Sequence, residues 1–127
     1  MKKTRSKKPS LKVLKKKAWK VFSEYIRRRD KGICITCGKK DNWQLMHAGH
    51  FKHGKLDFDE VNINCQCVSC NRFKHGRLDV YAEKLIEKHG HLVLSDLVKR
   101  SNEIKKHSRD ELEIIIEKYG RKINEMD

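Results

Sequence analysis

The sequence predicts a small α+β domain in which a metal-bound core is flanked by α-helices at both ends. Two Cys-x-x-Cys pairs have the spacing of a closed four-thiolate zinc site. These pairs are Cys34/Cys37 and Cys67/Cys70. Apolar residues recur at helical spacing on either side of them. Only 37% of the 127 residues are hydrophobic, so a structural zinc would compensate for a thin core.

Positive charge is concentrated near the N-terminus. The chain carries a net charge of +14, of which residues 1–31 hold +12 and residues 32–127 hold only +2. A basic segment on a nearly neutral body is typical of polyanion binders, and we expect DNA as the partner. A membrane surface is less favoured, because basic amphipathic anchors present a broad apolar face. A merely solvated tail is the simpler alternative.

The cysteine count indicates the cellular compartment. Five cysteines, four of them in two close pairs, favour metal binding in a reducing environment over disulfides. We expect Cys65 to be a buried thiol, although its pairing with Cys70 is an alternative. The sequence has no apolar run of membrane-span length and no signal-peptide h-region. These features predict an intracellular protein.

Four segments are predicted along the chain. They are a disordered basic arm (1–9), a basic N-terminal helix (10–31), a zinc-bound core (32–90) and a C-terminal helical extension (91–127). Ser10 is the expected N-cap of a helix over about 10–29, which Gly32 ends. This helix has one packed face and one basic face. Its expected DNA contacts are Lys12, Lys15, Lys16, Lys20, Arg27 and Arg28.

The core is predicted to contain two short strands and one helix start. A strand and knuckle occupy 32–38, a second strand occupies 44–51, and a loop follows over 52–61. A helix opens near Cys67 and continues to about residue 75.

The C-terminal part is predicted to be helical. One helical pattern stops at Gly90, and a short helix begins at Ser95. Ser108 begins a capping box, after which an apolar stripe runs to Tyr119 and Gly120 marks a break. We expect this stripe to form core or a dimer surface.

The residues between and after the cysteine pairs resemble the HNH nuclease motif, also called the ββα-metal or His-Me finger motif. A strand ends at His50, Asn62 lies five residues before the second pair, and Asn71 follows that pair directly. The strings HAGHF and QCVSCNRFKHG, followed by a tyrosine, resemble more narrowly the NinG/Rap recombination proteins of lambdoid phages. The resemblance covers about residues 34–90 and implies an HNH, treble-clef-like core.

This resemblance implies a structure-selective endonuclease acting on branched recombination intermediates such as Holliday junctions and D-loops, in the cytoplasm of a bacterial host. His50 would activate water, and Asn62 would orient His50 by tying down its loop. A Mg²⁺ or Mn²⁺ ion would neutralise charge at the scissile phosphate, while zinc would be structural. Symmetrical cutting of two strands would require a homodimer.

The ligands of the catalytic ion follow less directly. Asn71 and His75 are spaced i, i+4, so we expect them on one helix face as ligands. The family often has Asp or His immediately before the base, where this chain has Gly49. His47, two residues earlier on the same strand face, could replace that ligand. The simpler alternatives are a helix cap for Asn71, a phosphate contact for His75 and a core histidine for His47.

The remaining polar residues are assigned minor roles. Further expected DNA contacts are Lys52, Arg72 and Lys74. The acidic residues expected only to solvate their loop are Asp57, Asp59 and Glu60. Trp19 and Trp43 are expected to pack rather than to stack on bases. Two alternative functions remain open: an HNH endonuclease acting on linear duplex DNA, and a non-catalytic zinc-finger DNA-binding protein.

Deleting residues 1–9, which carry five Lys/Arg, should weaken DNA binding and flatten its salt dependence. Each phosphate contact releases condensed counterions, so the slope of log K against log salt should fall by about 4 to 5 if all five residues contact phosphates. Fluorescence anisotropy across a salt series measures this slope. A variant with the five residues changed to Ser controls for chain length. An unchanged slope would mean that the arm does not touch phosphates.

Overall fold

The computed structural model describes residues 8–103 and 106–126, so most of the predicted arm lies outside the described residues. The chain forms four helices and one two-stranded sheet within these ranges: α1 (Leu11–Arg29), β1 (His47–His50), β2 (Ile63–Gln66), α2 (Leu78–His89), α3 (Val93–Glu103) and α4 (Arg109–Asn124). Short turns of 3-10 helix occur at Trp43–Leu45 and His75–Arg77, and a π-helical turn occurs at Ser69–Phe73. This mixture confirms the predicted α+β class.

Helix α1 begins where the sequence predicts. The Ser10 side chain accepts a hydrogen bond from the backbone N–H of Val13, which confirms the N-cap. The helix ends earlier than Gly32, at Arg29 with Asp30 as the C-cap. Gly32 is needed for a different reason: its φ is +69°, and a Cβ there would overlap a backbone carbonyl.

Helices α1 and α4 pack face to face. Phe22 lies edge-on to Tyr119, with ring centroids 4.8 Å apart, and Tyr25 lies 5.0 Å from the same ring. The capping box at Ser108 is confirmed, but the predicted break at Gly120 is wrong because α4 continues to Asn124. Burial of apolar side chains against α1 on both sides of Gly120 offsets the low helix propensity of glycine. The apolar stripe of α4 therefore packs as core against α1.

The sheet is an antiparallel pair whose register places His47 opposite Gln66 and His50 opposite Ile63. Strand β1 is shorter than the strand predicted over 44–51, because Asn42 caps a 3-10 turn that occupies Trp43–Leu45. Strand β2 was not predicted. All four of its residues are buried, so it lacks the alternation that identifies half-exposed strands. In place of the strand expected over 32–38, a single bridge joins Ile33 to Lys40.

A partly buried ion pair attaches the end of α1 to the sheet. The Arg29 guanidinium donates to the Asp30 carboxylate at 2.8 Å and to the Asn64 side-chain oxygen at 3.0 Å. The same Asp30 carboxylate accepts the backbone N–H of Cys65 at 2.9 Å. Because both charges are hydrogen-bonded, their burial is tolerated and the helix end is fixed against β2.

The segment after the second cysteine pair departs from the predicted helix. It forms a π-helical turn that ends at Phe73, and His75, Gly76 and Arg77 then adopt positive φ values of 51°, 83° and 46°. Helix α2 follows and stops at Gly90, as predicted. Helix α3 begins at Val93, slightly before the predicted Ser95. Among the described residues, no helix is long and apolar enough to cross a membrane.

Gly49→Ala should lower the free energy of unfolding by about 1–3 kcal/mol. A Cβ at Gly49 would overlap the side-chain oxygen of Gln66 and lie 2.8 Å from its Cδ. Gln66 is fully buried and donates to the Gly76 carbonyl at 2.9 Å, so it cannot move without losing that bond. Equilibrium urea unfolding of the zinc-loaded protein measures the change.

Gly120→Ala is the matched control. A Cβ at Gly120 meets nothing within 4 Å, so the helix propensity of alanine should stabilise α4 by up to about 1 kcal/mol. Equal effects of the two substitutions would contradict the packing described for Gly49.

Candidate functional site

The four paired cysteines converge on one point. Their Sγ atoms all lie within 4.8 Å of one another, and the Sγ atoms of Cys37 and Cys67 are 3.7 Å apart. A tetrahedral zinc with bonds of about 2.3 Å would space its sulfur ligands by about 3.8 Å. Within the described residues, this is the one group of three or more His, Cys, Asp or Glu side chains that can hold a metal ion such as zinc.

Backbone and hydroxyl groups surround the sulfurs with hydrogen-bond donors. The N–H of Cys37 points to the Sγ of Cys34, and the N–H of Cys70 points to the Sγ of Cys67, both at 3.5 Å. Burial would raise the pKa of Cys34, but hydrogen bonds from Thr36 and from backbone N–H groups lower it to about 6. Donors that stabilise a thiolate favour metal ligation, because the thiolate is the form that binds zinc.

The fifth cysteine is not one of the four converging sulfurs, although it packs in the same part of the core. Cys65 is fully buried, and burial, together with the Asp30 carboxylate, raises the pKa of its thiol to about 12. It is therefore a neutral core thiol, as predicted. Cys67 is the partner of Cys70 in the cluster, so the alternative pairing of Cys65 with Cys70 is wrong.

His50 ends β1 and faces a carboxylate. Its Nε2 lies 3.1 Å from Asp57 Oδ1, and Lys15 Nζ lies 3.4 Å from the other oxygen of that carboxylate. Burial would raise the pKa of Asp57, but the hydrogen bond with His50 and the charges of His50 and Lys15 lower it overall. The carboxylate is thus ionised at neutral pH and orients the imidazole. The expectation that Asp57 only solvates its loop is wrong.

Two rings stack on the His50 imidazole. Trp19 from α1 lies 4.9 Å away between ring centroids at an interplanar angle of 20°, and His53 lies 4.9 Å away at 18°. The imidazole plane is therefore fixed by packing as well as by hydrogen bonding. Trp19 packs, as predicted, but the ring on which it packs is the candidate base. His53 is exposed apart from this stacking contact.

Asn62 ties down the loop between the strands. Its side chain donates to the carbonyls of Lys52 and Leu56, at 2.8 and 3.1 Å, and accepts from the Lys52 N–H at 2.8 Å. The amide is fully buried, so these three bonds satisfy it completely along the loop. The loop closed in this way carries Asp57, which links Asn62 to the orientation of His50.

A buried tyrosine supports the strand from below. The Tyr81 hydroxyl lies 2.7 Å from the Gly49 carbonyl, to which it donates, and accepts from the Asn64 amide at 3.1 Å. Tyr81 is fully buried on α2, and burial raises the pKa of its hydroxyl, which stays protonated as a donor. Helix α2 thereby fixes the backbone one residue before His50.

His47 and Asn71 meet on the other face of β1. Asn71 Nδ2 lies 3.0 Å from His47 Nδ1. Burial first, and then the charges of Arg72 and Arg27, lower the pKa of His47, so its ring is neutral at pH 7. His47 and His50 are three residues apart on a strand and project to opposite faces. The two histidines therefore form two separate half-sites rather than one cluster.

His75 does not share a helix face with Asn71. The i, i+4 prediction assumed a continuous α-helix, but the turn ends at Phe73 and His75 has a positive φ of 51°. The side chain of His75 is exposed. The geometric reason for assigning it as a metal ligand is thus wrong.

The predicted basic residues fall into two groups. Arg27 and Arg28 lie over the Trp43 ring, at 5.1 and 5.4 Å from its centroid, and are partly buried. The others are exposed or partly exposed: Lys12, Lys15, Lys16, Lys20, Lys52, Arg72 and Lys74. The arginines therefore fasten a turn, and the lysines of α1 form the basic face that the sequence predicts.

Two further loop acids have structural partners. Asp59 pairs with Arg100 of α3 at 2.8 Å. The Glu60 carboxylate accepts from the hydroxyls of Tyr25 and Tyr119, at 3.0 and 2.8 Å. Neither acid merely solvates the loop, contrary to prediction. No local signal identifies these partners, because each is more than 30 residues away in the sequence.

Comparison with known proteins assigns the chain to a phage family. A family model described as bacteriophage lambda NinG protein matches residues 1–127. The ninG proteins of Salmonella phage P22 and Escherichia phage 933W are each 30% identical over 116 residues, and that of Escherichia phage lambda is 29% identical. The matches cover 87% of this chain and 56–57% of each relative, so the chain spans about half their length. No solved structure matches significantly.

Cys67→Ala should abolish tight zinc binding, because the tetrahedral site loses one of its four ligands. Cys65→Ala is the matched control. Cys65 lies two residues before Cys67 and is also buried, but its sulfur is not one of the four that converge. Metal analysis of purified protein should find one zinc per chain in the wild type and in Cys65→Ala. Loss of zinc from Cys65→Ala, with zinc retained in Cys67→Ala, would show that the cluster is assigned to the wrong cysteines.

Proposed function

The chain belongs to the NinG family of bacteriophage proteins, and we propose that it is a metal-dependent HNH-type endonuclease that hydrolyses phosphodiester bonds in branched DNA. The observation that carries the proposal is the His50–Asp57 pair at the end of β1, 3.1 Å between Nε2 and Oδ1. A histidine oriented by a carboxylate is a recurrent arrangement for a general base. A structural zinc cluster alone would not require such a pair.

His50 takes the proton of the attacking water in this proposal. Asp57 accepts the Nε2–H of His50, which leaves Nδ1 of the neutral ring with its lone pair to receive a proton. As Nδ1 becomes protonated, the ionised carboxylate stabilises the resulting imidazolium. Trp19 and His53 restrict rotation of the ring, so less conformational entropy has to be lost on reaching the transition state.

His47 and Asn71 are the residues that would hold a catalytic Mg²⁺ or Mn²⁺ ion, on the face of β1 opposite His50, so the geometry does not by itself bring the ion and the base to one phosphate. They offer at most one imidazole nitrogen and one amide oxygen, and their side chains already meet at 3.0 Å. Such a small protein ligand set suits an ion that keeps several waters and binds substrate phosphate oxygens. When bound, the ion would neutralise charge on the scissile phosphate and the leaving oxygen. His75 could contact phosphate from the adjoining turn.

The basic face of α1 lies beside the base. Lys15 reaches Asp57, and Lys12 and Lys16 follow on the same side of the helix at i, i+3 and i, i+4 spacing. Exposed lysines in this position would bind the phosphates that flank the scissile bond. The preference for branched DNA over linear duplex comes from the resemblance to recombination endonucleases and is the finer part of the proposal.

Wild-type protein with Mg²⁺ or Mn²⁺ should nick or resolve a synthetic four-way junction, and His50→Ala should reduce the rate by about 10²- to 10⁴-fold while junction binding is retained. Gel assays on junction, fork, D-loop and linear duplex measure both activity and selectivity. His91→Ala, which changes an exposed histidine outside the site, is the control and should cut normally.

The same substitution series includes Asp57→Asn as a positioning variant. Its rate should fall less than that of His50→Ala, because the imidazole loses the carboxylate that orients it but keeps its two stacking partners. Binding without cleavage of any DNA would contradict the nuclease and favour a zinc-finger binding protein. Equal cutting of duplex and junction would contradict only the branched specificity.

A further inference from the structure

Phe73 projects from the protein surface beside the cysteine cluster. It is 76% exposed, the highest value among the exposed large apolar side chains of the described residues. It ends the π-helical turn that begins at Ser69, and the buried cluster ligand Cys70 lies within the same turn. Single exposed apolar side chains are common on protein surfaces, so the exposure of Phe73 gains meaning only from the turn that holds it and from the charges beside it.

The backbone around Phe73 is fixed on both sides. The Lys74 N–H donates to the Ser69 carbonyl at 2.9 Å, and the buried Gln66 amide donates to the Gly76 carbonyl at 2.9 Å. Three consecutive residues at this point, His75, Gly76 and Arg77, have positive φ, and two of them are not glycine. Side-chain-bearing residues disfavour this conformation, and such strain is concentrated at functional sites. Phe73 is therefore presented by a rigid turn rather than by a loose loop.

The surroundings of Phe73 are basic. Arg72 precedes it and Lys74 follows it, and both side chains are exposed. A flat apolar ring between two cations matches a ligand that alternates flat apolar rings with anionic groups. Nucleic acid has this pattern, with bases that stack on aromatic side chains and phosphates that pair with Lys and Arg. A lipid surface would instead need a broad apolar face, which one ring does not provide.

We propose that Phe73 stacks on a nucleobase exposed at a DNA branch point, while Arg72 and Lys74 contact the flanking phosphates. This inference takes from the proposed function only that the ligand is DNA. An intact duplex must be unstacked before a side chain can enter it, whereas a branch or unpaired base has already lost part of that stacking. Phe73 would thus contribute selectivity for branched DNA, independently of the chemistry at His50.

The test uses 2-aminopurine, whose fluorescence increases when it unstacks from its neighbours. The base is placed at the branch point of a four-way junction or, as an internal reference, in the middle of one arm. Titrations with zinc-loaded protein are done in buffer without added Mg²⁺ or Mn²⁺, so that no cleavage occurs. Anisotropy on the same samples gives the affinity.

Three variants separate stacking from mere folding. Phe73→Ala should lose the branch-point signal and bind the junction about 5- to 150-fold more weakly, the range expected for one base stack. Phe73→Trp should keep both. Ile114→Ala removes another exposed apolar side chain, 63% exposed on α4 and next to Glu113, and should change neither. Zinc content and circular dichroism verify folding of each variant.

Unchanged affinity and an unchanged branch-point signal in folded Phe73→Ala would overturn the inference. Conversion of a dimer to a monomer by Phe73→Ala, with junction binding intact, would also overturn it, since the ring would then contact a second copy. A protein that never cuts DNA but shows a Phe73-dependent signal would refute the nuclease proposal and leave this inference standing.

Discussion

The structure depends on the close approach of four sulfur atoms contributed by two distant parts of the chain. Cys34 and Cys37 follow α1, while Cys67 and Cys70 follow β2. Buried apolar side chains are divided among four small clusters, and the cysteines themselves form one of them. A metal that joins these segments would stabilise the fold where apolar burial is limited. Both strand β1 and the turn that carries Asn71 and Phe73 lie within a few residues of this crosslink.

Gly49 links the two faces of the candidate site. The Gln66 side chain fills the space that a side chain at position 49 would occupy. Its amide donates to the Gly76 carbonyl and so holds the strained turn. The HNH nucleases that this segment resembles often have Asp or His at the corresponding position, and in this chain such a residue would displace Gln66. The nearest available position on the same strand face is His47, which meets Asn71.

Features determined by short-range chemistry were predictable from the sequence. The Ser10 cap, the capping box at Ser108 and the glycine stop at Gly90 each require only neighbouring residues. Features determined by distant contacts were not. Strand β2 has no alternation because it is buried throughout, and the left-handed run after Phe73 is held by a hydrogen bond from β2. The pairing of Asp57 with His50 is likewise visible only after Asn62 has closed the loop.

Helix α1 participates in the candidate site directly. Trp19 stacks on the His50 ring and Lys15 contacts the carboxylate that orients it, so the helix that carries the basic face also contacts the proposed base and its partner. Helix α4 holds α1 in that position through Phe22, Tyr25 and Tyr119. A phosphate that drew Lys15 away from Asp57 would leave the carboxylate hydrogen-bonded to His50 alone of these two side chains. DNA binding and base activation would therefore be coupled through Lys15, because the phosphate and the Asp57 carboxylate would compete for the same lysine.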